Sequence, residues 1–412
     1  MRQSARFIGK TLLILFLFSC FFLGGLIVGP VSVRMYCSVI LLGFLVISGF
    51  RFPIYKEIFF YLLFVIVHFS ALLFNGDISQ IDAFKYFFGR YFVCFIAFYG
   101  VYSLIENFED LRTVSIWIFV MGILNLLVST LQFSGNMVAL QIPLLLNVGE
   151  LEQEKILGYT EKFGVGVGVI GLFGTIVKNG YFSSIFAVFS LGFYHHARAS
   201  VIRRVLFILT LGFLANLFFI QQRMVFMLVV LFYSLYIYKN PKLFRYAVGL
   251  FIVVLVFVFF YGLGFDPDSL GRISNVQDTN RVIIFTTALD FIANNLFFGG
   301  QVKFANILSG KGMDVTTSHN LFLNAFIYSG LVGFFLISII TWKMFMKCWY
   351  GMKTKLSAYD FDEFGFFISG SLMIYILNSF VHNSSLVTGD EVIWILFALL
   401  VRHKSIEKSS IQ

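Results

Sequence analysis

The sequence predicts an all-α polytopic membrane protein of about twelve transmembrane helices, on three observations. Of its 412 residues, 59% are hydrophobic and only 12% charged, with a mean hydropathy of +0.89. Such a chain cannot keep an ordinary charged surface in water, whereas a lipid-facing surface needs none. Apolar runs of roughly 17–22 residues, nearly free of Asp, Glu, Lys and Arg, recur from Thr11 to Val401, and each can cross a ~30 Å hydrocarbon core as a helix. Lys and Arg gather at the short ends of these runs, so the net charge of +9 reflects orientation in a membrane rather than binding of nucleic acid.

The spans fall near residues 11–29, 33–50, 58–74, 84–105, 113–133, 181–196, 202–219, 224–238, 243–264, 320–341, 364–381 and 388–401. The first follows the basic stretch Met1 to Lys10 and could be read as a signal peptide; its length and the runs behind it favour an uncleaved anchor. With the amino terminus inside, the segments rich in Lys and Arg fall mostly on the cytoplasmic side, and both termini are cytoplasmic. Two long loops, 134–180 and 265–318, then face outward, and long connections in a chain whose other loops are short are usually functional. The first contains the Gly-rich stretch Phe163 to Gly168, which lacks the Lys and Ser/Thr of a phosphate loop and reads as a re-entrant or closely packed backbone. Cys20, Cys37, Cys94 and Cys348 show no paired spacing, so they suggest packing rather than a disulfide framework or a zinc site.

The residues able to carry chemistry gather on the outward side. Thr316-Thr317-Ser318-His319-Asn320 ends the second loop, with Ser318 the expected N-cap and His319 in the first turn of the tenth span. An imidazole there can accept a proton near neutral pH; the plainer alternative is a structural His. Arg281 starts the apolar stretch Arg281 to Phe298, after Thr279 and Asn280 as caps. A cation at a helix start opposes the dipole unless an anion such as phosphate sits beside it; snorkelling to headgroups is the alternative. Arg223 opens the eighth span, Arg272 lies in the second loop, and Arg90 lies inside the fourth span, where a charge usually faces a polar cavity. No carboxylate sits in the middle of a span and no metal-ligand spacing occurs, which argues against a proton-relay pump and against metal chemistry.

His319-Asn320, followed after nine residues by Gly330-Leu331-Val332-Gly333, resembles the His-Asn…Gly-x-x-Gly signature of the bacterial O-antigen polymerase and ligase superfamily. Arg281 leading a helix that closes on Asn294-Asn295-Leu296-Phe297-Phe298-Gly299-Gly300 is similar to that family's Arg-led loop helix. Gln222-Arg223 resembles its Ser-Arg or Thr-Arg span start, with Gln222 replacing the hydroxyl residue. The resemblance covers mainly residues 220–340. It implies a membrane-embedded, metal-independent glycosyltransferase of the inner membrane, without cofactor, acting at the periplasmic face on undecaprenyl-pyrophosphate-linked oligosaccharides as donor and acceptor. His319, Arg281 and Arg223 would be catalytic, and Arg272, Arg90 and Asn320 would bind substrate. A polysaccharide chain-length regulator is a possible partner. The 56 Phe residues and the diverged Gln221-Gln222-Arg223 resemble the polymerases more than the ligases. A ligase transferring glycan to lipid A core, and a flippase or other transporter, remain the alternatives.

Overall fold

The computed structural model describes residues 3–24, 26–28, 31–50, 52–76, 85–147, 169–173, 176–220, 222–240, 279–313, 317–353, 361–381 and 386–411. Fourteen helices make up the fold among the described residues. In chain order they are α1 (Gln3–Phe22), α2 (Val33–Ile47), α3 (Lys56–Phe74), α4 (Phe87–Leu104), α5 (Phe108–Phe133), α6 (Met137–Asn147), α7 (Ile176–His196), α8 (Ser200–Ile220), α9 (Arg223–Lys239), α10 (Thr279–Asn294), α11 (Gln301–Gly310), α12 (Leu321–Met352), α13 (Gly365–Ser379) and α14 (Glu391–Ile411). Six of them are long and apolar enough to cross a membrane, and α2, α9 and α13 are shorter apolar helices. This is a multi-pass, all-α membrane architecture. The expected span at 243–264 lies outside the described residues.

The helix bounds correct the expected first span. α1 starts eight residues earlier than position 11 and ends at Phe22, with a minimal hairpin of Ile27–Val28 and Val31–Ser32 after it. Arg6 and Lys10, which bounded the apolar run in the sequence, lie within the helix because both pair with Asp110. Asp110 stands in the first turn of α5, whose N-cap Asn107 accepts a hydrogen bond from the Asp110 amide at 2.9 Å. The loop 134–180 carries α6 and a buried turn at 171–173, and the loop 265–318 carries α10 and α11. Residues 163–168 lie outside the described residues.

The core is a stack of apolar side chains between α3 and α12, α4 and α14, α12 and α13, and α7 with α5, α8 and α13. Buried amides tie the α5–α7 side together. Asn125 Nδ2 donates to Asn179 Oδ1 at 2.8 Å, while Asn125 Oδ1 accepts from the Leu172 amide at 2.8 Å and Gln132 Oε1 from the Gly171 amide at 2.8 Å. Irregular backbone at such depth survives only where side chains supply its missing partners.

The same rule governs α12, which is broken at Gly330 (φ 63°, ψ −159°), a conformation essentially confined to glycine. The Leu331 amide, which in an unbroken helix would donate to the Ile327 carbonyl, donates to the Leu296 carbonyl at 2.8 Å, and the Ile327 carbonyl accepts from the Gly300 amide at 2.8 Å. His68 of α3 adds a third tie. Its Nδ1–H donates to the Tyr328 carbonyl at 3.1 Å. The segment Leu296–Gly300 thus repairs the kink backbone to backbone. The approach leaves no room for side chains: a Cβ on Gly330 would run into the Phe297 carbonyl, and one on Gly299 would lie 2.6 Å from the Ile327 carbonyl.

Gly330→Ala therefore combines a forbidden backbone conformation with a backbone clash, and is expected to cost more than about 2 kcal/mol. Thermal unfolding of the detergent-purified protein measures this, and a melting temperature equal to wild type would contradict the joint described here.

A charged cavity and the His319 turn

Because consecutive helices run in alternating directions, the ends of α1, α3 and α13 and the starts of α2, α4, α7 and α14 meet at one end of the bundle. A cavity of about 230 Å³ opens among them. Its wall includes Arg34, Arg90, Lys178, Tyr181, Asp390 and Glu391, with Phe21, Phe173, Phe182 and Tyr375 as the aromatic part.

Each charged group there is positioned by a local feature of the chain. The first turns of α4, Phe87–Phe92, are wound as a π-helix, a widening common at functional sites. This segment holds Gly89 and Arg90. Arg34, one residue into α2, donates through Nη2 to the Gly89 carbonyl at 3.0 Å and through Nη1 to Glu391 Oε1 at 2.7 Å. One guanidinium thereby joins α2, α4 and α14. Arg90 donates to the Tyr86 hydroxyl at 3.2 Å and lies 4.6 Å from the centre of the Tyr86 ring. Among the described residues no carboxylate pairs with it. Asp390, in the turn ahead of α14, accepts from the Tyr375 hydroxyl and, at 3.1 Å, from the Val392 amide. The turn itself is anchored from two helices: the Tyr61 hydroxyl donates to the Leu386 carbonyl at 3.1 Å and the Tyr91 hydroxyl to the Val387 carbonyl at 2.8 Å.

The expected site residues divide as follows. Arg90 lines the cavity, but it lies exposed in the first turns of α4 rather than deep within the span. Arg223 begins α9, and its neighbour Gln222 packs against Gly180 at the start of α7, two residues from Lys178. Arg281 lies exposed in the first turn of α10, a helix that packs on α12. Arg272 lies outside the described residues. His319 corrects the sequence reading: it precedes α12 rather than sitting in its first turn, half-buried and in the left-handed region at φ 56°. That conformation is uncommon for a residue other than glycine, though His tolerates it better than most. The N-cap is Asn320, not Ser318. Asn320 Oδ1 accepts from the Phe322 and Leu323 amides at 2.9 and 3.0 Å, and its Nδ2 donates to the Phe380 carbonyl at 2.8 Å. Ser318 instead binds Asn324 Oδ1 through its amide at 2.8 Å and its hydroxyl at 2.7 Å. Asn320 thus holds the His319 turn against Phe380 at the end of α13.

Sequence reasoning missed Arg34, Lys178, Tyr375, Asp390, Glu391 and His68. The pair Asp390-Glu391 beside Gly389, at the head of an apolar run, was the available signal. Its partner Arg34 lies 357 residues away and no local pattern connects them. Among the described residues no group of three His, Cys, Asp or Glu side chains comes together that could hold a metal ion.

No protein-family model matches the chain, and no curated protein is similar to it at a significant level.

The Arg34–Glu391 pair is mostly buried, with side chains 20% and 7% exposed. Removing one member leaves the other charged and poorly solvated, so Arg34→Gln or Glu391→Gln alone is expected to cost about 3 kcal/mol, at the lower end because Arg34 keeps some solvent. The double variant should be more stable than either single one. Thermal unfolding of the three variants measures the coupling; additive losses would mean that the two groups do not act as a pair.

Proposed function

We propose that the chain is an O-antigen, or surface-polysaccharide, polymerase that joins undecaprenyl-pyrophosphate-linked oligosaccharide units at the periplasmic face of the bacterial inner membrane. The observation that supports this reading is the α12 joint. The two stretches that resemble separate features of one family, Asn294 to Gly300 and His319 to Gly333, are bound to each other through the Gly300–Ile327 and Leu296–Leu331 backbone hydrogen bonds. Gly299 and Gly330 thereby acquire a physical reason, which is the close approach of two backbones.

In this reading Arg281 and Arg223 hold the pyrophosphate and offset the charge that develops on it, with Arg272 as a further phosphate partner. His319 takes the proton from, or orients, an acceptor sugar hydroxyl as its oxygen attacks the anomeric carbon of the donor. The bond from that carbon to the pyrophosphate oxygen breaks, and undecaprenyl pyrophosphate leaves. A pyrophosphate is already a good leaving group, so cation contacts and positioning suffice where a glycosidase needs a carboxylate pair. Asn320 acts by fixing the turn that presents His319.

One observation favours a second reading. The charged cavity is the kind of intramembrane polar site expected of a transporter for the same lipid-linked glycan.

His319→Ala is expected to abolish glycan extension while the protein still inserts and purifies normally. Arg281→Lys should lower activity by roughly tenfold or more, since Lys loses the bidentate phosphate geometry. Both are read on lipopolysaccharide gels of a deletion strain complemented with each variant, alongside its undecaprenyl-linked glycans. Core bearing a single repeat unit marks loss of a polymerase, bare core with long glycan left on the lipid carrier a ligase, and repeat units stranded on the cytoplasmic side a transporter. Normal glycan from a well-expressed His319→Ala variant rejects the mechanism.

A further inference from the structure

The charges around the cavity ask for a ligand with both an anionic group and hydrogen-bond donors. Arg90 has a neutral phenol as its hydrogen-bond partner, and Lys178 stands on the same wall, so the cationic part can receive an anion. On the other part, Asp390 already accepts from the Tyr375 hydroxyl and the Val392 amide and Glu391 from Arg34, and the lone pairs left on these two carboxylates can be met only by a donor. A bare phosphate or pyrophosphate supplies acceptors alone and would sit against those two carboxylates. A neutral sugar supplies donors but leaves Arg90 without a counter-charge. An acidic pyranose supplies both, a carboxylate for the cations and ring hydroxyls for Asp390 and Glu391, and its apolar ring face matches the aromatic side chains of Tyr181, Tyr375 and Phe182. The cavity measures about 230 Å³, more than ten times the roughly 10–15 Å³ that one water needs.

Resting on the reading of the chain as a glycan-handling membrane protein, we propose that this cavity is a recognition subsite for one acidic sugar of the glycan, with Arg90 binding its carboxylate and Asp390 its hydroxyls. The subsite is distinct from the positions at Arg281 and Arg223 assigned to the pyrophosphate. It would make the repeat unit's acidic residue a determinant of which glycan is accepted.

The test uses the full-length protein in lipid nanodiscs and saturation-transfer NMR, which detects millimolar binding. Glucuronate is expected to receive saturation, with glucose at least about tenfold weaker and pyrophosphate unable to displace the glucuronate. Arg90→Gln should weaken glucuronate about tenfold, and Arg90→Lys, which keeps the charge but loses the two-pronged carboxylate geometry, should weaken it less. Equal transfer to glucose and glucuronate would overturn the proposal, as would absence of transfer to either. Displacement by pyrophosphate would reassign the cavity to the lipid carrier's own headgroup. Should Arg90→Gln fail to fold, the wild-type comparison of the two sugars still decides. The two proposals fail separately. Arg90-dependent glucuronate binding together with normal glycan from His319→Ala rejects the transfer mechanism and leaves the acidic-sugar site, while His319-dependent polymerisation without glucuronate binding rejects this site alone.

Discussion

Backbone satisfaction inside an apolar medium is the constraint on which this architecture depends. A helix broken at membrane depth exposes amides and carbonyls that lipid cannot bind, and each would cost several kcal/mol unpaired. α12 breaks at Gly330 and yet its Leu331 amide and Ile327 carbonyl are both satisfied by the Leu296–Gly300 segment, with His68 serving Tyr328. The repair has consequences along the whole helix. It fixes the direction of residues 321–329 independently of the long remainder of α12, and so fixes where the Asn320 cap and the His319 turn emerge. Asn320 in turn ties that turn to Phe380 at the end of α13, whose Tyr375 reaches Asp390 in the cavity wall. The joint, the His319 turn and the cavity are therefore connected through α12 and α13, with named hydrogen bonds where the helices meet.

The two ends of the bundle treat charge differently. At the end that holds the amino terminus, cations are matched locally: Arg6 and Lys10 with Asp110, Lys347 with Glu57, Arg402 with the Ile105 carbonyl, Lys404 with the Lys347 carbonyl and Lys239 with the Met352 carbonyl. These contacts join neighbouring helices near their termini. At the opposite end the charges surround a space instead. Arg34 and Glu391 form a pair that spans three helices, and Arg90 rests on Tyr86 within a π-helical turn. Charge that neutralises itself stabilises a fold; charge arranged around a cavity and left with binding capacity suits a ligand.

Much of the architecture was legible in the sequence because lipid imposes a simple rule. Long apolar runs must be helices, so α3, α5, α8 and α12 fall close to their expected places. The expected bounds failed where a charged residue was used to end a run. Arg6 and Lys10 continue α1, and Lys343 and Lys347 continue α12, because each can reach a partner or an interface without leaving the helix. Likewise, Ser318 looked like the cap by residue type, but Asn320 takes the role because the chain at His319 turns through the left-handed region first.

By itself the sequence determined the all-α membrane class, the position of Arg90 within an apolar run, and the two glycine-bearing stretches 294–300 and 319–333, since each follows from local composition and spacing. Only the tertiary structure decided that those two stretches bind each other, that His68 closes the kink, and that Arg34 meets Glu391 beside Arg90. The physical reason is the distance along the chain. Hydrophobic periodicity and capping are read within a few turns, whereas partners for broken backbone and buried charge are chosen by packing between helices as far apart in sequence as α2 and α14.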